Sequence, residues 1–176
     1  MVYFTSDLHL GHRKVIRLQN RPFASLEEMN ETLIKKYNSV VHKNDIVYIL
    51  GDLTFRLGTN EANELIARLK GKKILVRGNH DRDDYDVSLF EEITDFKMFK
   101  YEHVTYSLIH YPMLEWKHSR HNRGINLHGH IHSDGRYNEE NIANGILRYD
   151  VGVEAHDYMP VSLEVIHEKF KHLFKV

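Results

Sequence analysis

Three short apolar segments, each followed directly by a polar cluster, constrain the fold of this chain more than any other feature. The segments are residues 1–6, 45–50 and 72–76, and the clusters after them begin at Asp7, Gly51 and Arg77. Apolar runs of this length are typical of buried strands. Because open α/β sheets bind ligands at the carboxyl ends of their strands, the clusters are candidate site residues.

Helical periodicity appears between these segments. Ser25 and Glu28 fit a capping box, and the apolar residues that follow recur at helical spacing, which predicts a helix over residues 26–41. A second predicted helix covers residues 60–70 and ends at Gly71.

The second half of the chain has a different pattern, with short strands that we expect to pair in an antiparallel manner. The predicted strands are residues 98–101, 104–111, 124–128 and 148–154. Pro160 precedes a predicted terminal helix over 161–170, and the polar segment 133–145 is predicted to be a loop beside the site. With 176 residues and no repeat or linker, residues 1–176 are expected to form one domain.

The composition excludes several classes of protein. There is no Cys, which rules out disulfides, thiolate metal sites and Cys nucleophiles. No apolar run approaches the length of a membrane span, and the N-terminus does not resemble a signal peptide, so we expect a cytoplasmic protein that does not enter a membrane. The net charge of -1 does not favour a protein that binds long nucleic acid.

The chain is unusually rich in His, with 14 residues, and its polar clusters combine His with carboxylate and amide groups. The spacing of two in Asp7/His9 and in His130/His132 places both members of each pair on one side of an extended segment. Seven candidate metal ligands result: Asp7, His9, Asp52, Asn79, His110, His130 and His132. Seven ligands suit two metal ions, the arrangement that activates water for attack on phosphorus.

In chain order, the clusters read DxH, GD, GNHD, H and GHxH. This series resembles the motifs of the calcineurin-like metallophosphoesterase superfamily and covers residues 7–132. The resemblance implies an α/β (α+β) sandwich of two packed mixed β-sheets flanked by helices, with the site at the carboxyl edge and no cap domain.

The resemblance also implies a role for each ligand. Asp7, His9 and His132 would hold one metal ion. Asn79, His110 and His130 would hold the other, with Asp52 bridging both. A bridging hydroxide would attack phosphorus. His80 resembles the catalytic His of the family, which protonates the departing alkoxide, and Asp81 would orient His80 and stabilise its charged form.

Residues around the ligands are candidates for substrate contacts. His12, Arg120 and Arg123 could bind phosphate, since a guanidinium matches phosphate oxygens; the alternatives are a peripheral His12 and a merely solvated loop at 118–124. The segment Gly51–Arg56 lacks the GDxxDRG pattern of the phosphoprotein phosphatase branch, which disfavours a protein phosphatase.

The sequence therefore predicts a metal-dependent phosphohydrolase, favoured as a phosphodiesterase acting on a nucleotide-like or other small diester. The alternatives are a nuclease on DNA or RNA, a phosphomonoesterase and a non-catalytic binding module on the same fold. Two divalent ions are expected, with Mn preferred over Fe, Zn, Ni or Co. The sequence leaves the oligomeric state open.

Overall fold

Two β-sheets packed face to face form the framework of this protein, which is described here from a computed structural model over residues 1–175. The nine strands are β1 (Val2–Thr5), β2 (Ile46–Ile49), β3 (Lys72–Val76), β4 (Glu92–Thr94), β5 (Lys97–Tyr101), β6 (Val104–Leu108), β7 (Gly124–His128), β8 (Arg148–Asp150) and β9 (Val161–Ser162). The five α-helices are α1 (Arg13–Leu18), α2 (Leu26–Val40), α3 (Thr59–Ala67), α4 (Arg136–Ala143) and α5 (Leu163–Phe170). This confirms the predicted fold class.

The first sheet has the order β4-β3-β2-β1-β9. Strands β1 to β4 are parallel to their neighbours, and β9 pairs antiparallel with β1, so the sheet is mixed. Helix α2 begins at the predicted cap, where the Ser25 side chain accepts a hydrogen bond from the backbone N–H of Glu28. The parallel strands bring the clusters after β1, β2 and β3 to one edge.

The second sheet has the order β5-β6-β7-β8. The antiparallel prediction is correct for β5 and β6 but wrong for β7 and β8, which continue parallel to β6. The reason lies in the connections, since parallel strands require a crossover segment of a dozen or more residues. Residues 109–123 and 129–147 supply these crossovers.

The period-two alternation of strand side chains divides the apolar residues between two cores. On β2, Val47 belongs to the core beneath α2 and α3, whereas Tyr48 points into the core between the sheets. There the ring of Phe99 from the second sheet stacks on Tyr48 and Phe4 of the first, with ring centroids 5.5 and 6.2 Å apart. These contacts join the two sheets.

Other sequence expectations need correction. Residues 133–145, predicted to be a loop, contain α4, whose Asn138 and Asn141 are buried and hydrogen-bond to the β8 backbone. The helix was not predicted because the residues on its inward face are polar. They hydrogen-bond to backbone groups instead of packing against apolar side chains. The predicted strands 104–111 and 148–154 end earlier, at Leu108 and Asp150. The terminal helix begins at Leu163 because Val161 pairs with β1.

None of the helices within residues 1–175 is both long enough and apolar enough to cross a bilayer.

Candidate metal centre

Side chains that follow strands of both sheets converge at the carboxyl edge. Two overlapping groups each place one ligand atom per residue within 4.8 Å of the others: Asp7, His9 and His132, and Asp7, Asp52 and His110. Hydrogen-bond contacts with His110 add Asn79 and His130 to the same cluster. The structure therefore brings together all seven residues that the sequence predicted as ligands.

Asp52 lies at the centre of the cluster. Its Oδ1 atom accepts a hydrogen bond from the backbone N–H of His80 at 3.0 Å. Its Oδ2 atom faces His9 Nε2 at 3.4 Å and His110 Nε2 at 3.6 Å. One carboxylate oxygen is thus aimed between imidazoles from the two sheets.

The hydrogen bonds of His110 fix which of its nitrogens carries a proton. Nδ1 lies 2.8 Å from the carbonyl oxygen of Leu50, which can only accept, so Nδ1 is the donor. In neutral His110 the Nε2 lone pair is then free, and it faces Asn79 Oδ1 at 3.1 Å and His130 Nδ1 at 3.2 Å. A metal ion between these atoms would be bound by the His110 lone pair and by the Asn79 oxygen.

Two residues that the sequence reasoning missed support His132. Glu154 Oε1 accepts a hydrogen bond from His132 Nδ1 at 3.0 Å, and His132 Nε2 lies 3.8 Å from Asp7 Oδ1. Arg21 donates from Nε to the same Glu154 oxygen at 2.9 Å. Its two terminal nitrogens donate to the carbonyl oxygens of Asp7 and Leu8 at 2.6 and 2.9 Å. The Arg21–Glu154 pair therefore joins the loop carrying Asp7 to the loop carrying His132.

Neighbouring charges shift the pKa values of Glu154 and His132. Burial alone raises the pKa of Glu154, but the hydrogen bond from His132 and the charge of Arg21 outweigh burial and hold that pKa below its usual value. Burial lowers the pKa of His132, but Glu154 and Asp7 outweigh it and raise the pKa. Glu154 is consequently ionised at neutral pH.

Asp7 is fully buried, and its two oxygens have different surroundings. Oδ2 accepts a hydrogen bond from the backbone N–H of His130 at 2.9 Å, whereas Oδ1 is buried without a hydrogen-bond partner among residues 1–175. Burial raises the pKa of Asp7 to about 8. Burial also lowers the pKa of His9 to about 2, aided by the positive charge of His132 and Arg21, so His9 is neutral and has a lone pair to share.

The loops that carry the ligands are tied together through their backbones. The N–H groups of Asp7, His9 and Leu10 donate to the carbonyls of Gly51, Asp52 and Leu53, respectively. Five candidate ligands adopt the left-handed region of φ: Asp7 at 58°, His9 at 51°, Asp52 at 53°, His130 at 72° and His132 at 49°. Such residues cost about 1–3 kcal/mol each and cluster at functional sites.

The two residues predicted to act in proton transfer have different surroundings. The exposed ring of His80 lies 5.6 Å from that of His9 and 4.9 Å from that of Phe55, measured between centroids. The Asp81 carboxylate instead accepts hydrogen bonds from the backbone N–H groups of Asp52, Leu53 and Gly78. The predicted contact of Asp81 with the His80 ring is therefore absent from the hydrogen bonds of residues 1–175, because Asp81 holds the loop of Asp52.

The residues predicted to contact substrate lie in two places. His12 stacks on Phe55, with ring centroids 3.7 Å apart, beside His80. Arg120 pairs with Glu115 on the exposed 3₁₀ turn, and Arg123 precedes β7, whereas the ligands follow it. Since a five-residue strand is about 13 Å long, Arg123 lies at the opposite edge of the sheet from His130. The structure does not bring these two arginines to the cluster.

The residues present fit a metal-binding centre. Within residues 1–175 the Asp7 Oδ1 atom is buried and unpartnered, and ring nitrogens of His9, His110 and His132 lie 3.4 to 3.8 Å from the two carboxylates. Residues 1–172 match the profile of the family described as calcineurin-like phosphoesterase.

The chain belongs to the calcineurin-like phosphoesterase family. It is a phosphoesterase of a metal-dependent family, and its Asp and His groups could hold metal. This confirms the resemblance that the five motifs predict.

Three similar proteins support the assignment. Uncharacterized protein MJ1445 of Methanocaldococcus jannaschii is 37% identical over 166 residues, which cover 94% of this chain and 88% of the relative. The Gene 66 protein of Mycobacterium phage L5 is 31% identical, over 74% of this chain and 77% of the relative. The crystal structure of AQ665, a protein of unknown function from Aquifex aeolicus, has a TM-score of 0.74 and 28% identity, covering 96% of this chain and 98% of its own.

The pKa of Asp7 predicts how the stability of the metal-free protein depends on pH. The folded protein keeps a proton on Asp7 up to about pH 8, whereas the unfolded chain loses it near the ordinary value of 3.8. The Asp7 contribution to the free energy of unfolding is therefore largest below pH 4 and is lost as the pH rises through 8. We expect the melting temperature of chelator-treated protein to fall between pH 6 and 8. Added Mn²⁺ or Asp7→Asn should flatten this decrease, and an unchanged decrease in Asp7→Asn would assign it to another group.

Removing the charge of Glu154 tests its support of His132. Glu154→Gln keeps the shape of the side chain but weakens the hydrogen bond that orients His132 and leaves the buried Arg21 without its carboxylate. Changes to groups that orient metal ligands cost about 10- to 100-fold in metal affinity, so we expect a rise of that size in the Kd for Mn²⁺ by calorimetry. Glu139→Gln, on the exposed surface of α4, is the charge-matched control. Equal affinities in the two variants would contradict the assigned role.

Proposed function

We propose that this protein is a phosphohydrolase with a two-metal centre and that it acts as a phosphodiesterase on a nucleotide-like or other small diester. The observation that carries the proposal is the position of Asp52 Oδ2, which faces His9 Nε2 on one side and His110 Nε2 on the other. A carboxylate oxygen between two sets of imidazole ligands is what a bridging ligand requires.

The ligands divide into two sets around Asp52. Asp7, His9 and His132 would hold one ion, since Asp7 Oδ1 and His132 Nε2 lie 3.8 Å apart. Asn79, His110 and His130 would hold the second, since Asn79 Oδ1 and His130 Nδ1 both lie within 3.2 Å of His110 Nε2. Mixed nitrogen and oxygen ligands suit Mn²⁺ and also Fe, Zn, Ni or Co; we propose Mn²⁺ as the preferred ion.

The chain itself supplies orientation and a proton. When bound, two divalent ions lower the pKa of water toward neutrality and offset the charge that develops on the phosphoryl group. The backbone N–H of His80 is held by Asp52 Oδ1, which fixes the start of the His80 side chain next to the centre. In the protonated form, the His80 ring can donate its proton to the departing alkoxide.

Several features support a small diester. An alkoxide leaving group needs the proton that His80 can supply, and the exposed ring of His80 is accessible from solvent. The net charge of -1 and the position of Arg123 at the far edge offer no extended basic track for DNA or RNA. We further propose that the protein works in the cytoplasm on a soluble substrate.

Asp52→Asn tests the bridging role. The amide oxygen can still accept the hydrogen bond from His80, but the negative charge shared by both ion sites is lost. We expect metal analysis of the Mn²⁺-reconstituted protein to show fewer than two ions per chain, and turnover of bis-p-nitrophenyl phosphate to fall at least about 1,000-fold. Wild-type metal content with wild-type turnover would exclude the bridge.

His80→Ala separates proton transfer from metal binding. We expect unchanged Mn²⁺ content, because no His80 side-chain atom contacts Asp52 or His110 among the hydrogen bonds of residues 1–175. Turnover of a diester with an alkyl leaving group should fall about 100- to 10,000-fold, the usual contribution of a general acid. Turnover of bis-p-nitrophenyl phosphate should fall much less, since p-nitrophenolate leaves without a proton. An equal loss on both substrates would contradict the role of His80.

A further inference from the structure

A pocket of about 460 Å³ opens beside the candidate metal centre, and apart from His80 its lining residues take no part in the proposed metal binding or proton transfer. The lining consists of residues 11–14, Leu18, residues 55–56 and His80. Because His80 belongs to both the pocket and the edge of the metal centre, a molecule bound at the centre can extend into the pocket. The volume is within the range of small-molecule sites.

The pocket is strongly basic. Its lining includes Arg13, Lys14 and Arg56, and no acidic residue within residues 1–175 is part of it. Arg13 lies 4.0 Å from Glu27. Lys14 and Arg56, in contrast, have no carboxylate within 4.0 Å in the part of the chain that the structure describes. These two cations are available to a ligand.

An aromatic wall positions one of these cations. The Arg56 guanidinium lies over the Phe55 ring at 5.1 Å from its centroid, and the His12 ring stacks against Phe55 at 3.7 Å. A guanidinium held on an aromatic ring keeps its N–H groups free at the rim, where they can bind phosphate oxygens. The pocket thus combines fixed positive charge with a flat apolar surface.

The walls of the pocket are held by the same backbone contacts that hold the metal ligands. Phe55 N–H donates to the carbonyl of Leu10 at 2.9 Å, next to the bond from Leu10 N–H to Leu53. Gly11 has a φ of +88°, and a Cβ atom there would collide with the Leu57 side chain. Since both walls are built on one backbone ladder, the pocket is formed before substrate binds.

We propose that this pocket binds a second phosphoryl group of the substrate, through Lys14 and Arg56, while the scissile phosphorus lies at the metal centre. The inference rests on the proposed function and narrows its substrate class to small diesters that carry a further phosphate. No bond is made or broken in the pocket. Its contribution is binding and orientation.

The surroundings favour a small molecule over a polynucleotide. Arg13, Lys14 and Arg56 lie together in this pocket, and Leu18, which is 62% exposed, adds an apolar side chain to the lining. The two arginines that the sequence predicts to contact substrate, Arg120 and Arg123, do not reach the cluster. The pocket therefore offers its cations at one place, which suits a single phosphate better than an extended nucleic-acid backbone.

A matched pair of substrates tests the pocket directly. Thymidine 3′-phosphate 5′-(p-nitrophenyl phosphate) carries the second phosphate, and thymidine 5′-(p-nitrophenyl phosphate) lacks it. With the Mn²⁺-loaded protein, we expect kcat/KM to be at least about tenfold higher for the first, the effect of one charge-assisted hydrogen bond, mainly through a lower KM. Equal values for the two substrates would overturn the inference and leave the phosphodiesterase proposal intact.

Variants of the pocket residues test whether Lys14 and Arg56 cause the preference for the substrate with the second phosphate. The double variant Lys14→Gln/Arg56→Gln should bring the ratio of the two kcat/KM values close to 1. Arg17→Gln, also exposed on α1 but outside the lining, should keep the wild-type ratio and controls for loss of positive charge. A ratio that survives in the double variant would place the second phosphate elsewhere.

Binding is measured separately, so that the result does not depend on turnover. By calorimetry, thymidine 3′,5′-bisphosphate should bind the Mn²⁺-loaded protein at least about tenfold more tightly than thymidine 5′-monophosphate, and the double variant should remove the difference. If neither nitrophenyl ester is hydrolysed but this difference appears, the proposed function fails and the pocket stands. If a single-stranded oligonucleotide depends on Lys14 and Arg56 while the bisphosphate does not, the small-molecule inference is wrong.

Discussion

The rest of the structure depends on two buried carboxylates, Asp7 and Asp52, which lie at the ends of neighbouring strands. Asp7 is fully buried and Asp52 nearly so, and both face imidazole nitrogens. Negative charge in such a place is costly unless a cation accompanies it. In the metal-free protein, burial raises the pKa of Asp7 to about 8, so a bound proton neutralises this carboxylate. Bound divalent ions would take the place of that proton.

Holding these groups together strains the backbone, and the remainder of the fold offsets the cost. The left-handed conformations of Asp7 and Asp52 persist because the two loops are joined by backbone hydrogen bonds and anchored from opposite sides by Arg21 and Asp81. Beneath them, the aromatic contacts of Phe99 tie the two sheets into one core. The two sheets thus form a rigid base for the loops that carry the ligands, and these loops and their side chains face the substrate.

The sequence predicts well that the seven proposed ligands lie together, because each follows an apolar strand, and strand ends are set by local pattern. The sequence predicts the structure less well where polar residues are buried. Helix α4 was missed because its buried Asn138 and Asn141 bond to backbone, and Arg21 gave no signal at all. Glu154, in contrast, is the last residue of the predicted strand 148–154 and could have been found by the strand-end rule. The hydrogen bonds of Asp81 to the loop of Asp52 were not predicted, because spacing cannot show which backbone groups a carboxylate will reach.

The central claim is that two ions share Asp52. Electron paramagnetic resonance of the protein reconstituted with Mn²⁺ measures this directly, since two Mn²⁺ ions bridged by one carboxylate lie about 3.5–4 Å apart and their spins couple. We expect two Mn²⁺ per chain and the hyperfine pattern of an exchange-coupled pair, which Asp52→Asn converts to that of isolated ions. A wild-type spectrum of isolated Mn²⁺ at saturating metal would contradict the two-metal centre.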